Sequence, residues 1–211
     1  LPGGSNLTSL AISDSDNDII YAADYSNIYK TTNGGASWTD VTNNLPSSSI
    51  TYIEISPANP SDVWVSLSGY NGDGVYHSTD GGANWNNVSS GLPQIPVNWI
   101  TYENNTNNAL YAGTDLGVYY KNGSMGSWVQ FSQGLPNVIA TELEIHYGTN
   151  KIRAATCGRG MWESDLFQNV AIPDADFSHT VSNACEGEVV FNSMSSGSPD
   201  TYFWDLGDGQ T

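Results

Sequence analysis

Glu142, Glu144 and His146 alternate with apolar residues in the run Glu142-Leu143-Glu144-Ile145-His146. In an extended chain alternate side chains share a face, so these three project together. Glu54 stands in a similar run, Ile50 to Ser56, and Glu103 follows another, Val97 to Tyr102. Two carboxylates facing one glycosidic bond form the acid and the base or nucleophile of a glycoside hydrolase. The spacing puts these carboxylates on strands but does not set them across one cleft. The other reactive types are scattered. His77, His146 and His179 include no pair at i, i+4, and Cys157 and Cys185 form no C-x-x-C or Cys/His cluster for zinc. No G-x-S-x-G elbow, phosphate-binding glycine loop or Cys–His nucleophile is present.

The elements that carry these residues repeat. Ser78-Thr79-Asp80-Gly81-Gly82-Ala83-Asn84-Trp85 echoes Thr31-Thr32-Asn33-Gly34-Gly35-Ala36-Ser37-Trp38, with Asp80 lying 47 residues after Asn33. A degraded third copy is Lys121-Asn122-Gly123-Ser124-Met125-Gly126-Ser127-Trp128. A period in the forties signals a repeat architecture. The paired glycines permit positive φ and a tight hairpin, and Asn33 or Asp80 can bond nearby backbone N–H groups to fix it. Trp38, Trp85 and Trp128 then open the next strand and supply apolar surface for burial. Each repeat closes on Leu-Pro, at Pro46, Pro93 and Pro136.

The repeats span about 5–46, 47–93, 94–136 and 137–166. Each of the first three contains four short strand patterns; the last has three. Within the second, Val63, Val65 and Leu67 alternate on one face, with Trp64 on the other. In the fourth, alternation puts Thr141, Leu143, Ile145 and Tyr147 on one face. Four strands per unit with short polar turns, apolar on both faces, predict β-propeller blades. The expected fold is therefore all-β: about four four-stranded blades of a larger ring, over residues 1–166.

The turn motif resembles the Asp-box of BNR, sialidase-like and sortilin-type β-propellers. That resemblance gives Asn33, Gly35, Trp38, Asp80, Gly82, Trp85 and Trp128 structural roles as hairpin staples, away from any active site. Arg153-Ala154-Ala155-Thr156-Cys157-Gly158-Arg159-Gly160-Met161-Trp162 resembles the closing blade of sortilin-like propellers. On it, Arg153, Gly158, Arg159, Gly160 and Trp162 belong to a blade whose fourth strand comes from missing N-terminal blades of the same chain. A sialidase clamps its substrate carboxylate with three arginines. This chain has two, Arg153 and Arg159, so it lacks a complete sialidase site. Both are expected to pair with local acids or carbonyls.

From residue 167 the pattern changes. Residues 167–174 read as a linker carrying Pro173. Strand patterns follow at Asp176-Phe177-Ser178, from Cys185 to Asn192, and from Thr201 to Gly209. Trp204-Asp205-Leu206-Gly207-Asp208-Gly209 resembles the W-D-F-G-D-G signature of the PKD domain, an immunoglobulin-like β-sandwich, with Leu206 for Phe. Residues 175–211 would be its truncated start. The resemblance makes Asp205 and Asp208 turn-fixing residues and leaves calcium open; no other cofactor is expected. The ends, Leu1-Pro2-Gly3-Gly4 and Gly209-Gln210-Thr211, read as those of a piece of a longer protein.

Charge narrows the partners. The 211 residues hold 5 Lys+Arg against 22 Asp+Glu, a formal net charge of −17. No basic surface is available for phosphates, which excludes nucleic acid and anionic membranes. No apolar run reaches the roughly 18 residues of a membrane span. Sequons stand at Asn6, Asn87, Asn104 and Asn122. The expected function is non-catalytic: a glycan- or protein-binding platform with the PKD module as spacer or adhesion element. The combination resembles secreted or cell-surface proteins of the Bacteroidetes that use type IX secretion, which implies an extracellular location and secretion components as partners. Two alternatives follow. One is the C-terminal half of a propeller glycoside hydrolase or protease-associated region. The other is a structural subunit or cargo of a secretion or gliding apparatus.

Overall fold

The computed structural model describes residues 6–168, 176–183 and 188–195. No helix occurs among them. The chain divides into two units, residues 1–167 and 168–211.

The first unit is a succession of antiparallel sheets, each built from consecutive strands. Blade 1 holds β1 (Ser9–Ile12), β2 (Ile20–Ala23), β3 (Ile28–Thr31) and β4 (Thr39–Asp40). Blade 2 holds β5 (Ser49–Ile55), β6 (Val63–Ser68), β7 (Val75–Ser78) and β8 (Asn86–Asn87). Blade 3 holds β9 (Val97–Glu103), β10 (Ala109–Thr114), β11 (Gly117–Lys121) and β12 (Val129–Gln130). Blade 4 has three strands, β13 (Ala140–His146), β14 (Lys151–Thr156) and β15 (Gly160–Asp165). The β15 strand is exposed along its length and, among the described residues, pairs on one side only. The first strands β1, β5, β9 and β13 lie side by side from blade to blade. They form the hub of a partial β-propeller.

The second strands β6 and β10 are buried on both faces, as expected for sheets covered by neighbours. The core lies between blades. Ile28 and Val41 of blade 1 pack with Ile53, Val65 and Trp85 of blade 2. Trp64 and Val75 pack with Ile100, Ala112 and Trp128 of blade 3. Tyr111 and Val118 pack with Leu143 and Ile152 of blade 4. Phe167 completes that last layer by stacking on Tyr120 at 4.0 Å, and its N–H donates to the Tyr111 hydroxyl at 2.7 Å. It belongs to the first unit, whereas the sequence had placed it in a linker.

A latch joins blades 2 and 3 each to the blade before it. The Ser78 hydroxyl accepts from Gly82 N–H at 2.8 Å and donates to Asp80 at 2.8 Å. Asp80 accepts from Asn84 through backbone and side chain. The turn thus fixed aims Trp85 backward, where its indole N–H donates to the Val41 carbonyl at 2.9 Å. Asn44 grips the Trp85 backbone from both sides, accepting at 2.9 Å and donating at 2.7 Å. Trp128 repeats the geometry, donating to the Val88 carbonyl at 2.8 Å. Trp85 and Trp128 are 2% and 3% exposed. The Thr31–Asn33–Ser37 turn has the same internal bonds, but Trp38 is half-buried, with no preceding blade among the described residues to receive it.

Three first strands depart from simple alternation. Thr51, Asn98 and Thr141 each fall out of the pairing register with the second strand. A bulge at that point shifts the pattern by one residue. The buried positions are therefore three apart: Ile50 and Ile53, Val97 and Ile100, Ala140 and Leu143. Thr141 is exposed and does not share the buried face of Leu143, which corrects the alternation read from sequence.

In the second unit the described residues form one antiparallel pair, β16 (Phe177–Asn183) with β17 (Glu188–Ser193). Cys185 and the Trp204-Asp205-Gly207-Asp208-Gly209 motif lie outside the described residues.

The Leu-Pro turns give a test of blade docking. Gly91 and Gly134 both precede Leu-Pro and both have positive φ, +93° and +80°. A Cβ on Gly91 would collide with the Trp128 carbonyl oxygen, whereas one on Gly134 meets nothing within 4 Å. Gly134→Ala is expected to cost about 1 kcal/mol from backbone strain alone. Gly91→Ala is expected to cost at least about 2 kcal/mol more, because blade 3 must shift. Urea unfolding of the two variants measures the difference.

Candidate functional site

At the hub the first strands come together without forming one sheet, so side chains bridge their edges. Ser9 Oγ accepts from Ile53 N–H at 3.1 Å. The bulged Thr51 donates to the Val97 carbonyl at 2.6 Å, and the bulged Asn98 to the Ala140 carbonyl at 3.3 Å. Thr101 donates to the Leu143 carbonyl at 2.9 Å. Glu54 Oε1 accepts from Tyr102 N–H at 2.8 Å. The Tyr147 hydroxyl accepts from Asn104 N–H at 2.8 Å and donates to the Tyr102 carbonyl at 3.3 Å.

These bridges frame a cavity of about 360 Å³ at the end of the hub where first strands turn into second strands. All four first strands contribute. Leu10 and Ile12 come from β1, Tyr52 and Glu54 from β5, Tyr102 from β9, and Glu144 from β13. Asp14, Asn104 and Tyr147 enter from the turns that follow. Tyr52 is held by stacking on Trp99, ring centres 3.8 Å apart.

Glu54 is the electrostatic centre. Burial raises its pKa to about 8; the Tyr102 N–H opposes the shift, and the Glu144 and Asp14 charges add to it. At neutral pH the carboxyl is largely protonated. Its Oε2 accepts no hydrogen bond among the described residues, and no lysine or arginine lines the cavity. The Tyr52 hydroxyl is pushed up to about 12 by burial and then by Glu54, Glu144 and Glu142.

The structure separates the residues that sequence grouped. Glu54 and Glu144 share the cavity. Glu103 instead accepts from the Tyr111 hydroxyl at 3.0 Å, and burial raises its pKa. His146 is exposed and bonds Thr149 at 2.9 Å. Arg153 pairs with Glu163 at 2.8 Å across β14 and β15, and Lys151 pairs with Asp165 at 2.7 Å. Both are surface pairs. Arg159 is exposed, and its carbonyl accepts from the Trp162 indole at 3.1 Å. Gly158 and Gly160 carry positive φ in that turn, and Cys157 is an exposed free thiol. Asp80 is held down to about 2 by the Asn84 donors and the Ser78 hydroxyl, which leaves a turn-fixing carboxylate with no proton to exchange at neutral pH. No group of three metal-ligating side chains occurs among the described residues.

Sequence reasoning missed Tyr52, Tyr102, Asn104, Tyr147 and Asp14. A usable signal was the aromatic or polar residue near the end of each first strand, compared across repeats.

No family model and no curated protein matches this chain. Solved structures do. A GH74 enzyme from Niastella koreensis aligns with a TM-score of 0.59 at 12% identity, over 88% of this chain and 30% of that one. A GH74 xyloglucanase from Xanthomonas campestris aligns at 0.58 and 13%, over 74% and 29%. YCF48 bound to a D1 peptide aligns at 0.55 and 13%, over 76% and 50%. The chain thus spans half or less of these proteins. The likeness supports the β-propeller fold and nothing finer.

The Glu54 shift has a consequence for stability. Between the ordinary carboxyl range and about pH 8, the folded protein holds a proton on Glu54 that the unfolded chain has lost. Stability therefore falls as pH rises through that window. Glu54→Gln keeps an acceptor for Tyr102 N–H and removes the titration. It is expected to match the parent near pH 5 and to exceed it at pH 8 by on the order of 3 kcal/mol. Urea midpoints across pH 5–9 check this; parallel pH profiles for the two proteins would refute it.

Proposed function

We propose that this chain is a binding part of an exported or cell-surface multidomain protein, and that its hub cavity grips a segment of a partner protein. The cavity carries the reading: it is open, collected from four strands and the four turns that follow them, and lined by Tyr52 and Tyr147. Tyrosine gives contact area at small entropic cost, together with a polar tip. A solved neighbour of the same fold is YCF48 with a D1 peptide bound. The single-sided β15 and the half-buried Trp38 support a ring with further blades. The second unit then serves as a spacer or adhesion module, and secretion components would handle the whole.

A second reading is glycoside hydrolysis. It is favoured by one observation: Glu54, which holds a proton at neutral pH, and the exposed Glu144 line the same cavity. A pair of carboxyl groups in one cavity, one of them with a raised pKa, is the residue set of that chemistry.

Peptide and glycan arrays probed with the 211-residue chain separate the two. Peptide retention is expected, weakened about tenfold, or 1.4 kcal/mol, by Tyr147→Ala. Retention of glycans alone, or hydrolysis of a xyloglucan oligosaccharide that Glu54→Gln abolishes, would establish the second reading instead.

A further inference from the structure

We propose that the hub cavity is a receptor for a primary ammonium group on an alkyl stem, seated on Glu54 and presented by a lysine side chain of the partner segment. The inference rests on the reading of the cavity as a peptide-binding site and names the chemistry it recognises.

The argument begins with charge. Glu54, Glu144 and Asp14 line one cavity. The chain has five cationic side chains, and none lines it. Lys151 and Arg153 are engaged with Asp165 and Glu163 on blade 4, and Lys30 lies over the Tyr21 ring at 5.3 Å. No cationic side chain among the described residues therefore neutralises the acid at the cavity. A half-buried carboxyl whose second oxygen accepts no bond among the described residues is stabilised in its charged form by a cation brought from outside.

Geometry then selects the cation. Glu54 Oε1 is already engaged by Tyr102 N–H, which leaves Oε2 as the open acceptor. A guanidinium binds best through two parallel bonds to both oxygens, whereas an ammonium acts as a point charge and needs one. A divalent metal is poorly served, since no three ligating side chains converge among the described residues. The walls suit an alkyl stem: Leu10 and Ile12 line the cavity and remain about half exposed. Tyr52 and Tyr147 also line the cavity, and an aromatic ring attracts a cation over its face; the Tyr102 ring turns instead into the layer between blades, against Trp64. Lysine combines an apolar stem with a charged head in this way.

Binding is coupled to protons. An ammonium seated on Oε2 favours ionised Glu54, so the carboxyl releases its proton as the ligand enters. The groups facing Glu54 are Asp14 after β1, Tyr52 on its own strand, Tyr102 on β9, and Glu144 and Tyr147 from β13 and its turn. None of them is a cation, so affinity rises with pH while the lysine stays charged.

The test is an NMR titration of the whole chain with three peptides, acetyl-Gly-Gly-X-Gly-Gly-amide, where X is lysine, acetyl-lysine or glutamate. The Glu54 carboxyl carbon is assigned by its loss in Glu54→Gln. The lysine peptide is expected to shift that resonance and to bind about tenfold or more tightly at pH 9 than at pH 6.5. The acetyl-lysine and glutamate peptides are expected not to bind, and Glu54→Gln to lose the lysine peptide while remaining at least as thermally stable as the parent. Equal binding of lysine and acetyl-lysine peptides, or undiminished binding by Glu54→Gln, overturns the ammonium site and leaves a peptide platform. No perturbation of Tyr52, Tyr102 or Tyr147 by any peptide at millimolar concentration overturns both. Spermidine is the last arm. Weaker binding than the lysine peptide supports a protein source of the ammonium group, and tighter or equal binding assigns the site to a free polyamine and overturns the lysine source.

Discussion

A propeller hub leaves backbone donors and acceptors on the free edges of its innermost strands. Buried backbone polar groups must be paired, and unpaired strand edges recruit whatever they meet. In this chain neighbouring first strands lie side by side yet belong to separate sheets, so a backbone ladder does not satisfy them. Ser9, Thr51, Glu54, Asn98, Thr101 and Tyr147 supply the missing partners one at a time. The hub is consequently polar inside, although the layers between blades are apolar. A polar, side-chain-bridged hub widens where the bridges are long, and the cavity is that widening.

The same constraint explains the bulges. A regular strand would place every second side chain toward the neighbouring blade. Dropping Thr51, Asn98 or Thr141 out of register turns a short polar side chain toward a carbonyl while Ile53, Ile100 and Leu143 stay buried. Thr51 and Asn98 use that freedom to reach the first strand of the next blade; Thr141 bonds the Ala155 carbonyl of its own blade. At the outer ends of the blades the demand is met differently. There Trp85 and Trp128 combine large apolar burial with one indole donor, and each closes on a carbonyl of the preceding blade. One device works through polar bridges near the axis, the other through an aromatic latch at the rim. The bridges couple all four blades in succession and the latch couples the first three, so blade geometry is set by neighbours more than by the weak local preferences of four-residue strands.

This division decides what the sequence made legible. The latch is local: Ser78, Asp80, Gly82 and Trp85 sit within eight residues, so the motif and its period announce the blades. The all-β class and the three-strand fourth blade follow from the same pattern. The cavity is not local. Glu54 meets Tyr102 across 48 residues, and Asn104 meets Tyr147 across 43. Glu54 and Glu144 were legible as strand carboxylates at comparable places, but Glu103 was grouped with them and instead faces Tyr111. The reason is place along the strand: Thr101, three residues past the bulge, is the counterpart of Glu54 and Glu144, and Glu103 stands two residues further on, at the end of β9. Tyr52 escaped notice because an aromatic residue beside Ile53 reads as core until the register shift turns it toward Trp99.

Glu54 stands where the structural and the functional demands meet. As a hub bridge it needs only an acceptor for Tyr102 N–H, and a glutamine would serve that purpose without a charge to desolvate. A carboxyl there raises its own pKa to about 8 and makes the fold less stable as pH rises. Groups that cost stability and face a cavity are where binding or chemistry concentrates. Among the bridges Ser9, Thr51, Asn98, Thr101 and Tyr147 carry no such cost, since each is neutral. The one ionisable acid among the bridges is also the one whose second oxygen faces no partner among the described residues. Its value to the molecule therefore lies in what the cavity receives rather than in the backbone it ties.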